Sequence, residues 1–134
     1  MTYQLTILDS GLRVATEFLP GVESVAISIS TNVGARYESD RLNGISHLLE
    51  HMAFKGTKGR SAKDIAEAFD NIGGQINAYT SMEHTVYYAK ILKENVALAV
   101  EILGDILKNS VFDEDELARE KDDIIQEIAM HHDS

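Results

Sequence analysis

The chain has 134 residues, with 22 acidic and 12 basic side chains, a formal net charge of -10 and no cysteine. That length is one domain's worth and buries a core without staples. The missing cysteine excludes a thiol nucleophile, a thiolate metal site and a disulfide framework, so any metal must rest on His, Asp or Glu. The negative charge repels phosphate backbones, which excludes nucleic acid as a partner and favours basic ligands.

Tyr3 to Leu8 and Arg13 to Phe18 are β-prone runs around the turn cluster Asp9-Ser10-Gly11, and predict an antiparallel hairpin. Ser24 to Val33 sets Val25, Ile27 and Ile29 against Ser24, Ala26, Ser28 and Ser30, the period-2 pattern of a strand with one buried face. Gly34 to Asn43 is polar and reads as a loop. A helix is expected from Asn43, with Ile45, Leu48, Leu49 and Met52 as its buried stripe and Gly56 as its stop. Ser61, with Asp64 three positions on, predicts an N-cap launching a second helix through Ile65, Ala66, Phe69 and Ile72 to Gly73-Gly74.

Gln75 to Ser81 and His84 to Leu92 read as two strands around a Ser-Met-Glu turn. Two further helices are expected over Asn95 to Leu107 and from Asp113 to about His131. Strands and helices in blocks predict an α+β fold, a largely antiparallel sheet with helices packed on one face. The N-terminus has no basic segment followed by an apolar stretch, and no run approaches about 18 apolar residues. The expectation is a cytoplasmic protein of bacterial type with no membrane span.

The chemistry gathers in GISHLLEHMAF, residues 44 to 54. At i and i+4 on a helix, His47 and His51 project from one face about one turn apart, close enough for both imidazoles to reach a single tetrahedral ion. Glu50 shares that face, where a base for activating water belongs. HLLEH matches H-x-x-E-H, the inverted counterpart of the H-E-x-x-H zinc-protease motif. The pattern arises by chance in roughly two of a hundred chains of this composition. Here, however, the three polar residues interrupt the most apolar helix in the chain, and burying them without a shared partner is costly.

A third ligand is expected from the last helix, DEDELAREKDDIIQEIAM. Glu127 falls among Ile124, Ile125, Ile128 and Ala129 on its most apolar part, and Glu120 lies two turns earlier on nearly the same face. Spacing does not separate the two. His84, on a predicted strand, is expected to be a structural hydrogen-bonder, and His131 and His132 belong to a frayed end.

Taken in order, HLLEHMAFKGT, GGQINAYTSMEHTVYY and EKDDIIQEIAM resemble the inverted-zincin metallopeptidase family of pitrilysin, insulin-degrading enzyme and the mitochondrial processing peptidase β subunit, in its bacterial processing-peptidase-like branch. The resemblance covers essentially the whole chain. It implies a zinc-dependent endopeptidase, with His47, His51 and Glu127 as Zn2+ ligands, Glu50 as general base and Glu120 as a supporting carboxylate. It further implies that Phe54 lines a substrate pocket, and that Asn77, Ala78 and Tyr79 lie on an edge strand that captures an extended peptide by main-chain hydrogen bonds.

The partner implied is a peptide or unfolded protein. Family members are longer, with two related halves closing on the substrate. Residues 1–134 are therefore expected to be an N-terminal catalytic domain truncated at its C-terminal end, with little activity alone and a second family half or subunit as a partner. The alternative within the family is a non-catalytic scaffold or binding subunit. Outside it, the alternative is a small-molecule hydrolase with the same ligand geometry.

Overall fold

The computed structural model describes residues 2–32, 34, 36, 38–39 and 44–133, and the side chains of these except at 2, 128 and 130–133. The hairpin forms where the turn cluster places it: β1 (Thr2–Ile7) pairs antiparallel with β2 (Arg13–Phe18), Leu5 opposite Ala15. It makes a two-stranded sheet of its own. Tyr3, Ile7 and Phe18 are all more than 60% exposed, so the expected single sheet is in fact two.

The main sheet has the order β3-β5-β4, antiparallel throughout, from β3 (Ser24–Thr31), β4 (Gln75–Thr80) and β5 (Thr85–Leu92). β3 alternates as its sequence does, with Val25, Ile27 and Ile29 turned inward. Val33 lies outside the described residues. β5 is central and the most buried strand, with Tyr87, Ala89 and Ile91 in the core. β4 is an edge strand. Ser81 closes the β4–β5 turn: its N–H and its hydroxyl both donate to His84 O, and Ser81 Oγ accepts from His84 N–H; the His84 side chain is exposed, and the strand begins at Thr85.

Four helices follow the predicted spacing: α1 (Ile45–Met52), α2 (Ala62–Asp70), α3 (Val96–Asn109) and α4 (Glu114–Asp133). The predicted start of α1, Asn43, lies outside the described residues. α2 opens on the expected capping box, with Ser61 Oγ accepting from Asp64 N–H and Asp64 accepting from Ser61 N–H. Ile65 and Phe69 from α2, and Ala99, Ile102, Leu103 and Ile106 from α3, bury against the sheet. Met52, Ile65, Ile102 and Leu103 are fully buried, each stabilising by about 1.5–3 kcal/mol relative to exposure.

The apolar stripes are narrower than periodicity alone suggests. Leu49 in α1 is 40% exposed and Ile125 in α4 is 64% exposed; Ala66 in α2 also faces outward. α1 is eight residues long and packs chiefly on β4 and α4, and Leu49 lies off the stripe those two elements cover.

Two local contacts hold the frame. Gly34 is buried against the β4–β5 turn, where a Cβ would lie 2.5 Å from Ser81 O and 2.7 Å from Met82 O. Next to it, Arg36 N–H donates to Met82 O at 2.8 Å and the Arg36 guanidinium pairs with Glu83. Elsewhere, Asp105 of α3 accepts from Thr57 Oγ1 at 2.7 Å, Arg60 at 2.9 Å and Asn109 at 2.9 Å. This fastens the α1–α2 connection to α3.

Candidate metal centre

α1 and α4 pack against each other, and their facing surfaces carry the polar residues singled out in the sequence. His47 and His51, one turn apart, stand edge to face with ring centroids 4.7 Å apart and Nε2 atoms 3.0 Å apart. Glu127 reaches in from α4, its Oε2 3.3 Å from His47 Nε2 and 3.7 Å from His51 Nε2. The three residues therefore present one ligand atom each to a common point.

Glu120 sits on the other side of His51. Its Oε2 accepts from His51 Nδ1 at 2.8 Å, and its Oε1 from Lys55 Nζ at 3.0 Å. Burial works to raise the Glu120 carboxyl, but the hydrogen bonds from His51 and Lys55 and the charge of Lys55 outweigh it and hold the group below the ordinary glutamate range. An ionised carboxylate only accepts, so His51 Nδ1 carries the proton of this hydrogen bond, and Nε2 is the ring nitrogen that faces His47 and Glu127. The two α4 carboxylates, inseparable by spacing, thus approach opposite nitrogens of one imidazole.

Glu50 stays out of this triangle. Its Oε2 accepts from Thr80 Oγ1 at 2.6 Å, across to the last residue of β4. Tyr87 beside it is buried, and burial together with the Glu50 charge pushes its phenol up. Phe54 is half-buried and packs against the core. On β4, Asn77 and Tyr79 are exposed and Ala78 is buried; Asn77 Oδ1 accepts from Ala78 N–H at 2.8 Å, and Tyr79 stacks obliquely on Tyr88 at 6.1 Å. The side chains of His131 and His132 lie outside those described.

Sequence reasoning did not find the Thr80–Glu50 contact, nor the parts played by Lys55 and Glu38. Glu38 accepts from the backbone N–H of Gly44 at 2.9 Å and of Ser46 at 2.6 Å, at the head of α1. The Thr80 and Lys55 contacts join separate elements, and no local pattern announces them. A glutamate a few residues ahead of an uncapped helix start is a signal that could have pointed to Glu38.

The donor set suits zinc. Tetrahedral coordination with bonds of about 2.0–2.2 Å sets ligand-to-ligand edges of about 3.4 Å, and the observed edges are 3.0, 3.3 and 3.7 Å. Two imidazoles and one carboxylate leave one tetrahedral position over, as catalytic zinc sites do.

H-x-x-E-H on a helix is the inverted type of the zinc-protease motif, and here α4 brings a carboxylate to it. The family model described as insulinase (peptidase family M16) matches residues 13–134, and this chain belongs to that family. Its relatives include a zinc protease of Rickettsia felis, 54% identical over 98% of this chain and 32% of the relative. The zinc protease YmxG of Bacillus subtilis is 50% identical over 94% of this chain and 31% of the relative. A probable mitochondrial-processing peptidase subunit beta of Arabidopsis thaliana is 46% identical over 93% of this chain and 24% of the relative.

The fold is likewise that of a protease from Helicobacter pylori whose crystal structure is known, with a TM-score of 0.87 at 28% identity, over 94% of this chain and 30% of that one. The chain spans about a third or less of the length of the relatives it matches.

Proposed function

We propose that this chain is the zinc-binding, catalytic portion of a metalloendopeptidase of the processing-peptidase type. The observation that carries the reading is the convergence of His47 Nε2, His51 Nε2 and Glu127 Oε2 within 4.8 Å of one another, with Glu50 on the same helix but outside the triangle. In this reading His47, His51 and Glu127 hold the ion. The chemistry zinc supplies at such a site is Lewis-acid polarisation and the acidification of water.

The rest falls to the chain's own groups. Thr80 holds Glu50 Oε2, and Oε1 takes the proton from the attacking water and returns it to the leaving amine. Glu120 keeps the His51 ring oriented with Nε2 deprotonated. An extended peptide adds to the outer edge of β4, replacing the Asn77 side chain at Ala78 N–H. Because Thr80 lies on that strand and touches Glu50, a peptide so bound passes beside the base. Phe54 and Tyr79 flank it as apolar contacts.

The relatives are about three to four times as long, and one carries the name of a processing-peptidase subunit. We therefore assign efficient cleavage to an assembly in which further family residues, from a second half or a partner subunit, close over the site. The test is metal content of this chain and of Glu50→Gln, with peptide cleavage read for both in a version extended at the C-terminus. One zinc per chain in both, with turnover lost in Glu50→Gln, is the expected result. Absence of zinc from the wild type, or normal turnover by Glu50→Gln, would refute it.

A further inference from the structure

α1 starts without any of the usual devices that secure a helix end. Its N-cap is Gly44 at φ 88°, which has no side chain to offer the first-turn amides, and the first turn contains no acidic residue. Two turns of helix have little stability of their own, yet His47 stands in the first of them. The two helix histidines are also held differently. His51 is 20% exposed and clamped from behind by Glu120, whereas His47 is 36% exposed and, among the described residues, its ring has hydrogen-bond or ion-pair contacts only with His51 and Glu127. The placement of His47 must therefore come from the backbone that carries it.

That backbone is gripped from outside the helix. One carboxylate, Glu38, takes two of the open amides: Oε1 accepts from Gly44 N–H at 2.9 Å and Oε2 from Ser46 N–H at 2.6 Å. These are donors that no helical carbonyl can satisfy. Bridging them ties the amides of Gly44 and Ser46 to one carboxylate, and hence sets the direction of the turn that ends in His47. It also sets a full negative charge at the positive end of the helix dipole.

We propose that Glu38 is a positioning residue for the metal centre, a remote cap that holds the first turn of α1 so that His47 stays in register with His51 and Glu127. The inference rests on reading those three residues as ligands. It goes beyond that reading in claiming that removal of this cap weakens metal binding out of proportion to its effect on the fold.

The experiment compares wild type, Glu38→Gln and Ser61→Ala, the last removing the corresponding cap from α2. Zinc affinity is read by competition with a chromophoric chelator, stability by thermal melting of the metal-free chain, and the cap itself by amide exchange at Gly44 and Ser46. The expected result for Glu38→Gln is exchange faster by about fivefold at those two amides and zinc affinity lower by about tenfold. Ser61→Ala should melt earlier by a similar amount and bind zinc within about twofold of wild type, because independent sites do not couple.

Zinc affinity unchanged in Glu38→Gln overturns the proposal. So does a loss in Ser61→Ala equal to that in Glu38→Gln, since the effect would then be global stability. If wild type takes up no zinc, the ligand reading falls on its own account. Exchange at Gly44 and Ser46 still decides the cap: acceleration confined to those amides upholds it, and unchanged exchange overturns it.

Discussion

Glu120→Gln replaces one carboxylate oxygen by an amide NH2 at a site that is only 6% exposed and faces two donors, His51 Nδ1 and Lys55 Nζ. Two orientations are open to the amide. With its oxygen toward His51, the ring keeps its tautomer and the NH2 confronts the Lys55 ammonium. With its NH2 toward His51, the ring must move its proton to Nε2, which then no longer offers a lone pair to a metal. The first wins, because the Lys55 side chain is 36% exposed and can turn to water, whereas His51 cannot.

What is lost is then a charge-assisted hydrogen bond and part of the His51 basicity. The metal-free chain should be less stable by about 1 kcal/mol, discounting the partly exposed Lys55 pair, which shifts Tm by about 4 °C in a chain of this size. Zinc affinity should fall by about tenfold, at the low end for outer carboxylates. Lys55→Met, which removes only the solvent-reaching partner, should leave affinity within about threefold. Chelator competition and circular dichroism melting check both numbers. Glu120→Gln that binds zinc as wild type does would refute the claim that this carboxylate orients the ring.

Three other perturbations bear on separate parts of the structure. Thr80→Val removes the hydroxyl on Glu50 Oε2 at nearly constant volume; kcat/KM of a peptide-cleaving assembly should fall by about tenfold or more, with zinc affinity unchanged by chelator competition. Gly34→Ala sets a methyl 2.5 Å from Ser81 O, and the backbone shift it forces should cost about 1–3 kcal/mol, read from the urea midpoint.

Asp105 is held below the ordinary aspartate range by hydrogen bonds from Thr57, Asn109 and Arg60, and Asp64 by the Ser61 backbone and side chain. Depressed folded values mean that this stabilisation is complete above the unfolded pKa of about 3.9 and drains away as pH falls below it. Urea midpoints should therefore drop on acidification through that window, and less steeply in Asp105→Asn.

What the sequence announced was whatever repeats along a single element. The i, i+4 histidines, the alternation of Val25, Ile27 and Ile29, and the Ser61–Asp64 capping box each follow from one period or one turn, and each element forms where that period places it. What it concealed was whatever joins elements. Glu120 and Glu127 are seven residues apart, about 10 Å along a helix and nearly in line. Only the crossing of α4 over α1 brings the first to His51 Nδ1 and the second to the Nε2 side. Leu49 and Ile125 carry the right period yet remain exposed, because period gives the direction of a stripe and packing gives its width.

The candidate site is thus an intersection, and its parts differ in how firmly they are held. Glu120 is almost buried and doubly bonded, and Glu50 is tied to β4, which is itself paired to the most buried strand. Glu127 is 47% exposed and His47 36%. The proposed base and the inner imidazole therefore stand on rigid supports, while two of the three proposed ligands sit on the solvent side of the α1–α4 contact. Binding an ion there would tie α4 to α1 at its more exposed end, so metal uptake should stabilise the contact between these helices more than the sheet core. Amide exchange in the second half of α4, slowed by zinc while that of β5 is not, is the signature this argument requires. Equal slowing in both would mean that the ion acts on the fold as a whole.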